Sequence, residues 1–271
     1  MNLDPVTLAA CYPIATRDAC LAWAPGFDAA AKEFGLADNQ HVMACWLASI
    51  ANESGQLSRL EETSYFNTPV ERIVYVFGTA RTPPVETMRE WKAHGRQYFD
   101  EHLYNWLYDD RRPANPKLGN IADGDGYRRR GLGPLQITGG SNQQAVSVAT
   151  GTDFYANPDL LSDPVEGSRA AAAFYKINRI GEYAAGGTET GFLRAMHVTN
   201  PGLDPDEFQV HHLVRWREVR LGLGIIDDGR NAARLTQARL LIQGYDVGTR
   251  DGWLGPRTRA AMAAAGEGRA A

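Results

Sequence analysis

The chain has 271 residues, 44% hydrophobic and 22% charged, enough for one domain with a substantial core plus a small appendage. That mix excludes a wholly disordered chain, and a formal net charge of −4 argues against a dedicated nucleic-acid binder, which carries a basic face. The longest apolar-leaning stretch, Val42 to Ala51, falls well short of the roughly 20 residues a bilayer requires, so no stable membrane insertion is expected.

The N-terminus opens Met-Asn-Leu-Asp-Pro and lacks both a basic n-region and an apolar h-region. The expectation is a protein made in a cytoplasm without a signal peptide. Apolar residues then recur at three-to-four spacing over Ala19–Phe34, despite Pro25, and the spacing predicts a helix. Val42, Trp46, Leu47 and Ile50 repeat the period in a helix starting near His41, with Asn39 as its cap and Gly55 as its stop. Further helices are predicted over Val85–Leu107, Asn142–Thr150, Val165–Ile177, Thr190–His197 and Asp204–Leu221. Period-two alternation is rare, so at most a short hairpin is expected near Asn120–Thr138. The predicted fold class is mainly α.

Two zones interrupt the helical pattern. Residues 109–140 are dense in glycine and proline, and a loop this long inside a compact domain tends to be functional. Gly222–Gly229 reads as a linker, which places a domain boundary near residue 226 and predicts domains 1–226 and 227–271. From Gly229 onward seven arginines (230, 234, 239, 250, 257, 259, 269) stand against Asp246, Asp251 and Glu267, a balance of +4 that leaves −8 on the preceding body. A basic tail on an acidic body suggests an anionic polymer or surface as partner. A helix with a solvated arginine face accounts for the charge equally well.

Cys11, Cys20 and Cys45 cannot all pair within one chain, show no Cys-x-x-Cys spacing and sit among apolar neighbours. They read as buried structural thiols. No Gly-x-Ser-x-Gly elbow, His-Glu-x-x-His motif or Walker-type loop is present. Asp123-Gly124-Asp125-Gly126 resembles the opening of a calcium loop. Its twelfth position is Pro134, however, and Arg128–Arg130 would repel a cation. His211 and His212 point about 100° apart on a helix, which disfavours joint metal binding. No metal and no organic cofactor is expected.

The remaining candidates are acids. Glu53 ends the helix that begins near His41. There the negative end of the helix dipole disfavours ionisation, which suits a general acid. On a continuous helix Glu53 and Glu62 would lie about 180° apart, so they can share a cleft only if the chain breaks after Gly55 and folds back. A solvated Glu at a helix end, followed by a surface Glu61–Glu62 pair, explains the same residues without any chemistry.

Asn52-Glu53-Ser54-Gly55-Gln56-Leu57-Ser58-Arg59-Leu60-Glu61-Glu62 resembles the His-Glu-Ser-Gly-x-x-x-Arg-Leu-x-Glu stretch of family 19 glycoside hydrolases, the plant-type chitinases and related bacteriophage endolysins. Residues 124–139, Gly-Asp-Gly-Tyr-Arg-Arg-Arg-Gly-Leu-Gly-Pro-Leu-Gln-Ile-Thr-Gly, resemble the same family's Gly-Asp-Gly-Tyr-x-x-Arg-Gly-x-Gly-x-x-Gln-Leu-Thr-Gly loop. With the opening Met1–Asp4 and Leu8–Cys11, the likeness covers roughly residues 1–222. It implies a lysozyme-like hydrolase domain. It also implies Glu53 as general acid, Glu62 (with Glu61 the other candidate) as general base, and Gln136, Thr138, Asn142 and Asn200 as sugar- and water-binding residues. The sequence departs from the pattern at Asn52, where the family has His, at Leu132, where it has a second loop Arg, and at Pro201-Gly202, where it has Gly-Gly.

Residues 244–261, with Asp251-Gly252 as a turn and Pro256 opening a helix, resemble the peptidoglycan-binding helical module of many cell-wall hydrolases. The Phe-Gln continuation of that module is replaced by Met262-Ala-Ala-Ala-Gly, a truncated form. Arg257 and Arg259 are the wall-binding candidates. Together the resemblances imply an endolysin, most simply monomeric, that cuts β-1,4 glycosidic bonds of peptidoglycan and acts at the cell wall in the periplasm. They further imply a separate membrane-permeabilising partner. Inverting hydrolysis of this kind needs two carboxyl groups roughly 6.5–9.5 Å apart with water between them. A chitinase would share these residues, a lytic transglycosylase would need one acid and no base, and a non-catalytic wall-binding or virion protein would need neither.

Overall fold

A computed structural model describes residues 2–199 and 205–267, with the side chains of 205–209 left aside. Its described residues are mainly helical, as the periodicity predicts. In chain order the helices are α1 (Pro5–Cys11), α2 (Arg17–Glu33), α3 (Gln40–Glu53), α4 (Val70–Phe77), α5 (Val85–Ala93), α6 (Arg96–Leu107) and α7 (Asp125–Arg128). They continue with α8 (Gly140–Thr150), α9 (Pro164–Ile177), α10 (Ile180–Ala184), α11 (Glu189–Thr199), α12 (Pro205–Gly222), α13 (Asn231–Ile242) and α14 (Pro256–Ala264). The chain forms two compact units, one of Met1–Ser58 with Asp163–Ala271 and the other of Arg59–Ser162. Residues 227–271 lie within the first of these.

In the first unit α2 packs on α9, α3 on α12, and α1 on both α12 and α13. Asn39 caps α3 as expected, its Oδ1 accepting from the amides of His41 and Val42 at 2.8 and 3.3 Å. The core centres on Trp46, Phe27, Tyr12 and Tyr175, all fully buried. Phe27 meets the Trp46 ring edge-on at 5.3 Å, and the Tyr12 hydroxyl donates to the Leu47 carbonyl at 2.7 Å. Alanines at 30, 31 and 170–173 line this core and let helices approach closely. At Gly26 a Cβ would stand 2.4 Å from the Pro164 carbonyl oxygen, so α2 and α9 can meet there only over a glycine. The three cysteines are free and buried. Burial pushes the thiols up, to about 11 for Cys20 and about 12 for Cys45, which keeps them protonated packing groups.

The second unit has its own core of Val70, Ile73, Met88, Phe99, Leu103 and Leu107, edged by Tyr65, Phe66 and Tyr108. Here the structure corrects two expectations. The helix predicted over Val85–Leu107 is two helices, broken at Gly95, whose φ of 97° is open to glycine and costly for other residues. The hairpin expected near Asn120–Thr138 is reduced to single bridges, Leu132 to Ile137 and Glu61 to Leu132, with no strand among the described residues. The loop meets its backbone needs through side chains instead. The Asp110 carboxylate accepts from the amides of Leu118 (2.9 Å) and Gly119 (2.7 Å), and the Asn120 side chain spans the Tyr108 carbonyl and the Gly140 amide.

Candidate active site

Glu53 is the last residue of α3 and is half-buried. Immediately beyond it the helix is closed by Ser54, whose hydroxyl donates to the Ile50 carbonyl at 2.6 Å and accepts from the Leu57 amide at 2.9 Å. The break expected at Gly55 is sharper than one glycine provides. Gly55, Gln56 and Leu57 are consecutive left-handed residues, with φ of 57°, 59° and 68°. For Gln and Leu this conformation is unfavourable, on the order of 1 kcal/mol or more each, and buried contacts hold it. Gln56 Oε1 accepts from the Ile14 amide at 2.9 Å and its Nε2 donates to Glu218 at 3.3 Å. The glycine was legible in the sequence, but the two strained residues after it gave no signal.

Within the second unit the structure separates the two adjacent glutamates. Glu61 is exposed, with its Oε2 2.6 Å from Arg130 Nη2. Glu62 turns inward. Its Oε1 accepts from the Tyr108 hydroxyl at 2.6 Å and its Oε2 from the Gly131 amide at 3.0 Å. Its own amide donates to the Gly131 carbonyl at 2.8 Å, so one glycine grips both the backbone and the carboxylate of Glu62. Burial raises the Glu62 pKa above the usual carboxylate range, against the opposing pull of Tyr108, the Gly131 amide, Arg130 and Arg59. Burial, followed by the Glu62 charge, also holds the Tyr108 phenol far up, so it remains a donor.

The loop residues converge on the same glycine. A Cβ at Gly131 would stand 3.0 Å from Gln136 Oε1 and 3.4 Å from Thr138 Oγ1, which places both side chains over the peptide that holds Glu62. Gln136 takes a left-handed φ of 50°, fixed by its Nε2 donating to the Gly133 carbonyl at 2.9 Å. Thr138 Oγ1 donates to the Gln136 carbonyl at 3.0 Å, and Asn142 Nδ2 donates to the Thr138 carbonyl at 2.9 Å. Glu62, Gln136, Thr138 and Asn142 thus form one connected group.

Underneath, Arg129 is buried. It pairs with Asp125 at 3.1 Å, donates to Gln143 at 2.8 Å and lies 3.6 Å from the Tyr155 ring centroid. This arginine ties the loop to α8. The Asp125 carboxylate accepts from Arg129 and from the Ala122 amide.

Asn200 lies outside the described residues. Arg257 and Arg259 are exposed on α14, far along the chain in the first unit; Arg257 stands 3.9 Å from Asp246, and Arg259 donates to the Leu254 carbonyl. Sequence reasoning missed Tyr108 and the Gly131 amide. Tyr108 stands 46 residues from Glu62 with no motif around it, and a backbone amide carries no residue signature.

No family model matches this chain, and no curated protein matches it. No described helix is long and apolar enough to cross a membrane.

Proposed function

We propose that the chain is a lysozyme-like glycoside hydrolase that cleaves β-1,4 bonds of peptidoglycan glycan strands, in the manner of the family 19 endolysins its motifs resemble. The observation that carries this reading is the Glu62 cradle. A carboxylate held by a phenol and a backbone amide, its proton affinity raised by burial, is placed to act as a general base. Gln136 and Thr138 stand over the same peptide, where hydroxyl and amide groups of a sugar or an attacking water find donors and acceptors. In the proposed reaction Glu53, protonated, gives its proton to the leaving glycosidic oxygen. Glu62, ionised, takes one from the water that attacks the anomeric carbon. The C–O bond breaks as the new one forms, and the configuration inverts. Arg257 and Arg259 engage the wall electrostatically.

The deciding experiment is mass spectrometry of purified sacculi after digestion. Hydrolysis leaves reducing ends whose sugar identifies the bond cut. Anhydro ends would make the protein a lytic transglycosylase, and turnover of chitin in preference to sacculi would make it a chitinase. No new ends from either substrate would leave a binding protein.

A further inference from the structure

The second unit carries a cleft of about 280 Å³ between α5, α6 and the loop that follows α6. Its aromatic wall is built by Trp91 of α5 with His102 and Trp106 of α6. Trp91 stands 5.3 Å from the His102 ring and 6.1 Å from the Trp106 ring. Tyr98, one turn before His102, stacks on it at 3.8 Å and extends the aromatic strip along the helix. Trp106 is two residues from both Tyr104 and Tyr108, hence roughly 160° around the helix from the side that serves Glu62. The cleft is therefore no extension of the Glu62 group.

Its charged lining is balanced. Asp109 and Asp123 face Arg111 and Arg112, and Arg111 bridges both carboxylates at 2.8 Å. Arg112 lies 3.3 Å from the Trp106 ring centroid, and its shielded Nε has no hydrogen-bond partner among the described residues. Two carboxylates against two guanidiniums favour neither an anion nor a cation. Arg112 covers one face of Trp106, and Trp91 packs in part on the core. The indole surface left to the cleft, beside planar donors and acceptors already fixed in place, suits a neutral ligand with a C–H face and a rim of hydroxyls.

We propose that this cleft is a second saccharide-binding site, which holds a β-1,4-linked N-acetylhexosamine chain against Trp91 and Trp106 apart from the place of cleavage. The choice of N-acetylhexosamine rests on the hydrolase reading above; the preference for a neutral saccharide rests on the cleft alone.

The test uses full-length Glu62→Gln protein, so that the probe is not consumed, titrated with the N-acetylglucosamine tetrasaccharide and followed by NMR. Indole signals of Trp91 and Trp106 should shift along a titration curve of their own, distinct from that of the Gly131 amide. Trp106→Leu should weaken the indole curve roughly tenfold, the equivalent of about 1.4 kcal/mol, and leave the Gly131 midpoint in place. Asp123→Ala, at an exposed carboxylate, should weaken the same curve several-fold without disturbing the fold. A Gly131 amide that moves while both indoles stay still would overturn the second site and leave the hydrolase reading standing. Indole and amide curves that shift together in Trp106→Leu would also overturn it, because both would then report one event. Indoles that respond to the tetrasaccharide, beside wild-type protein that digests no sacculi, would keep the saccharide site and remove the hydrolase reading.

Discussion

The loop of residues 109–140 and the tail from Gly229 are both punctuated by glycine and arginine, yet the structure uses their charges in opposite ways. In the loop, Arg129 is buried with Asp125, and Arg130 pairs with Glu61, so charge serves the precise placement of backbone around Glu62. In the tail the arginines divide. Arg230 and Arg234 surround Asp228 at 2.6 and 2.8 Å, and Arg239 pairs with Glu267 at 2.9 Å. Arg250 is buried, its guanidinium donating to the carbonyls of Ala9, Tyr12 and Ala15 at 2.8, 2.5 and 2.7 Å. A balance of +4 counted along the sequence is thus largely internal. Among the described tail residues, Arg257 and Arg259 are exposed together with Trp253, as is Arg239 beside Glu267. Charge counted by residue measures a segment's composition, and only its partners show whether it holds structure or meets a ligand.

The largest effect should fall on the loop side. Glu62→Gln keeps the shape of the side chain but cannot take a proton, and lysis should drop by the roughly 10²–10⁴-fold typical of lost general acid–base catalysis. Glu53→Gln should do the same from the first unit. Glu61→Gln breaks only an exposed pair with Arg130, where an ion pair is worth about 0–1 kcal/mol, and turnover of sacculi should change little. An inactive Glu61→Gln beside an active Glu62→Gln would reverse the two roles.

On the tail side the largest effect should be on stability. Arg250→Ala removes three N–H donations, from Nε and Nη2, to carbonyls in and just after α1, and the loss should be about 3 kcal/mol, read by denaturant unfolding. Because α1 also packs on α13, a chain ended near Asp228 should melt at lower temperature than the full-length protein. Arg250→Ala with an unchanged unfolding midpoint would show that the tail is separable from the body and that its buried arginine holds nothing.

Much of the fold was legible because period and caps are local. Asn39 and Gly55 bound α3 by chemistry visible within a few residues, and Pro256 opens α14 where expected. The break at Gly95 was not read, because the apolar pattern of α5 and α6 runs across it and outweighs one glycine. The site was half legible. The resemblance to the family 19 motifs singled out Glu62, Gln136, Thr138 and Asn142, and the structure brings them together around Gly131. The choice between Glu61 and Glu62 was not legible, since adjacent carboxylates differ only in which one the fold turns toward Tyr108. Arg250 was counted with the tail's charge because its three partners are carbonyls some 235–241 residues away.

A finer comparison lies within the cradle. Tyr108→Phe removes a hydrogen bond that favours the charged form of Glu62, so the carboxyl pKa should rise still further. The acidic limb of the pH–rate profile should move to higher pH, with the rate loss largest on that limb and shrinking as pH rises. Stability should show the same group from the other side. The folded-state pKa of Glu62 is raised above its unfolded value, so the protein loses stability as pH climbs from the ordinary glutamate range of about 4.3 through the raised value. Glu62→Gln lacks that loss, and its unfolding free energy should gain on wild type across this window. Parallel pH–stability curves for the two proteins would mean that Glu62 ionises as easily folded as unfolded.

The smallest effect should belong to the outward arginines. Arg257 and Arg259 lie on the exposed side of α14, and neither is built into the core of Leu240, Val247 and Ala261 that the tail keeps for itself. Replacing both with alanine should leave the melting temperature within about a degree, since surface changes away from packed features stay within roughly 0.5 kcal/mol. Binding to intact sacculi should weaken several-fold at low ionic strength. The gap should close as salt is raised toward physiological levels, where the screening length is about 8 Å. Activity on short soluble glycan fragments should be unaffected, because such fragments offer no extended anionic surface for the tail to meet. A loss that persists at high salt would show that the arginines act through shape or hydrogen bonding. Unchanged sacculus binding at every salt concentration would make the tail, like Arg250 within it, a structural extension of the first unit.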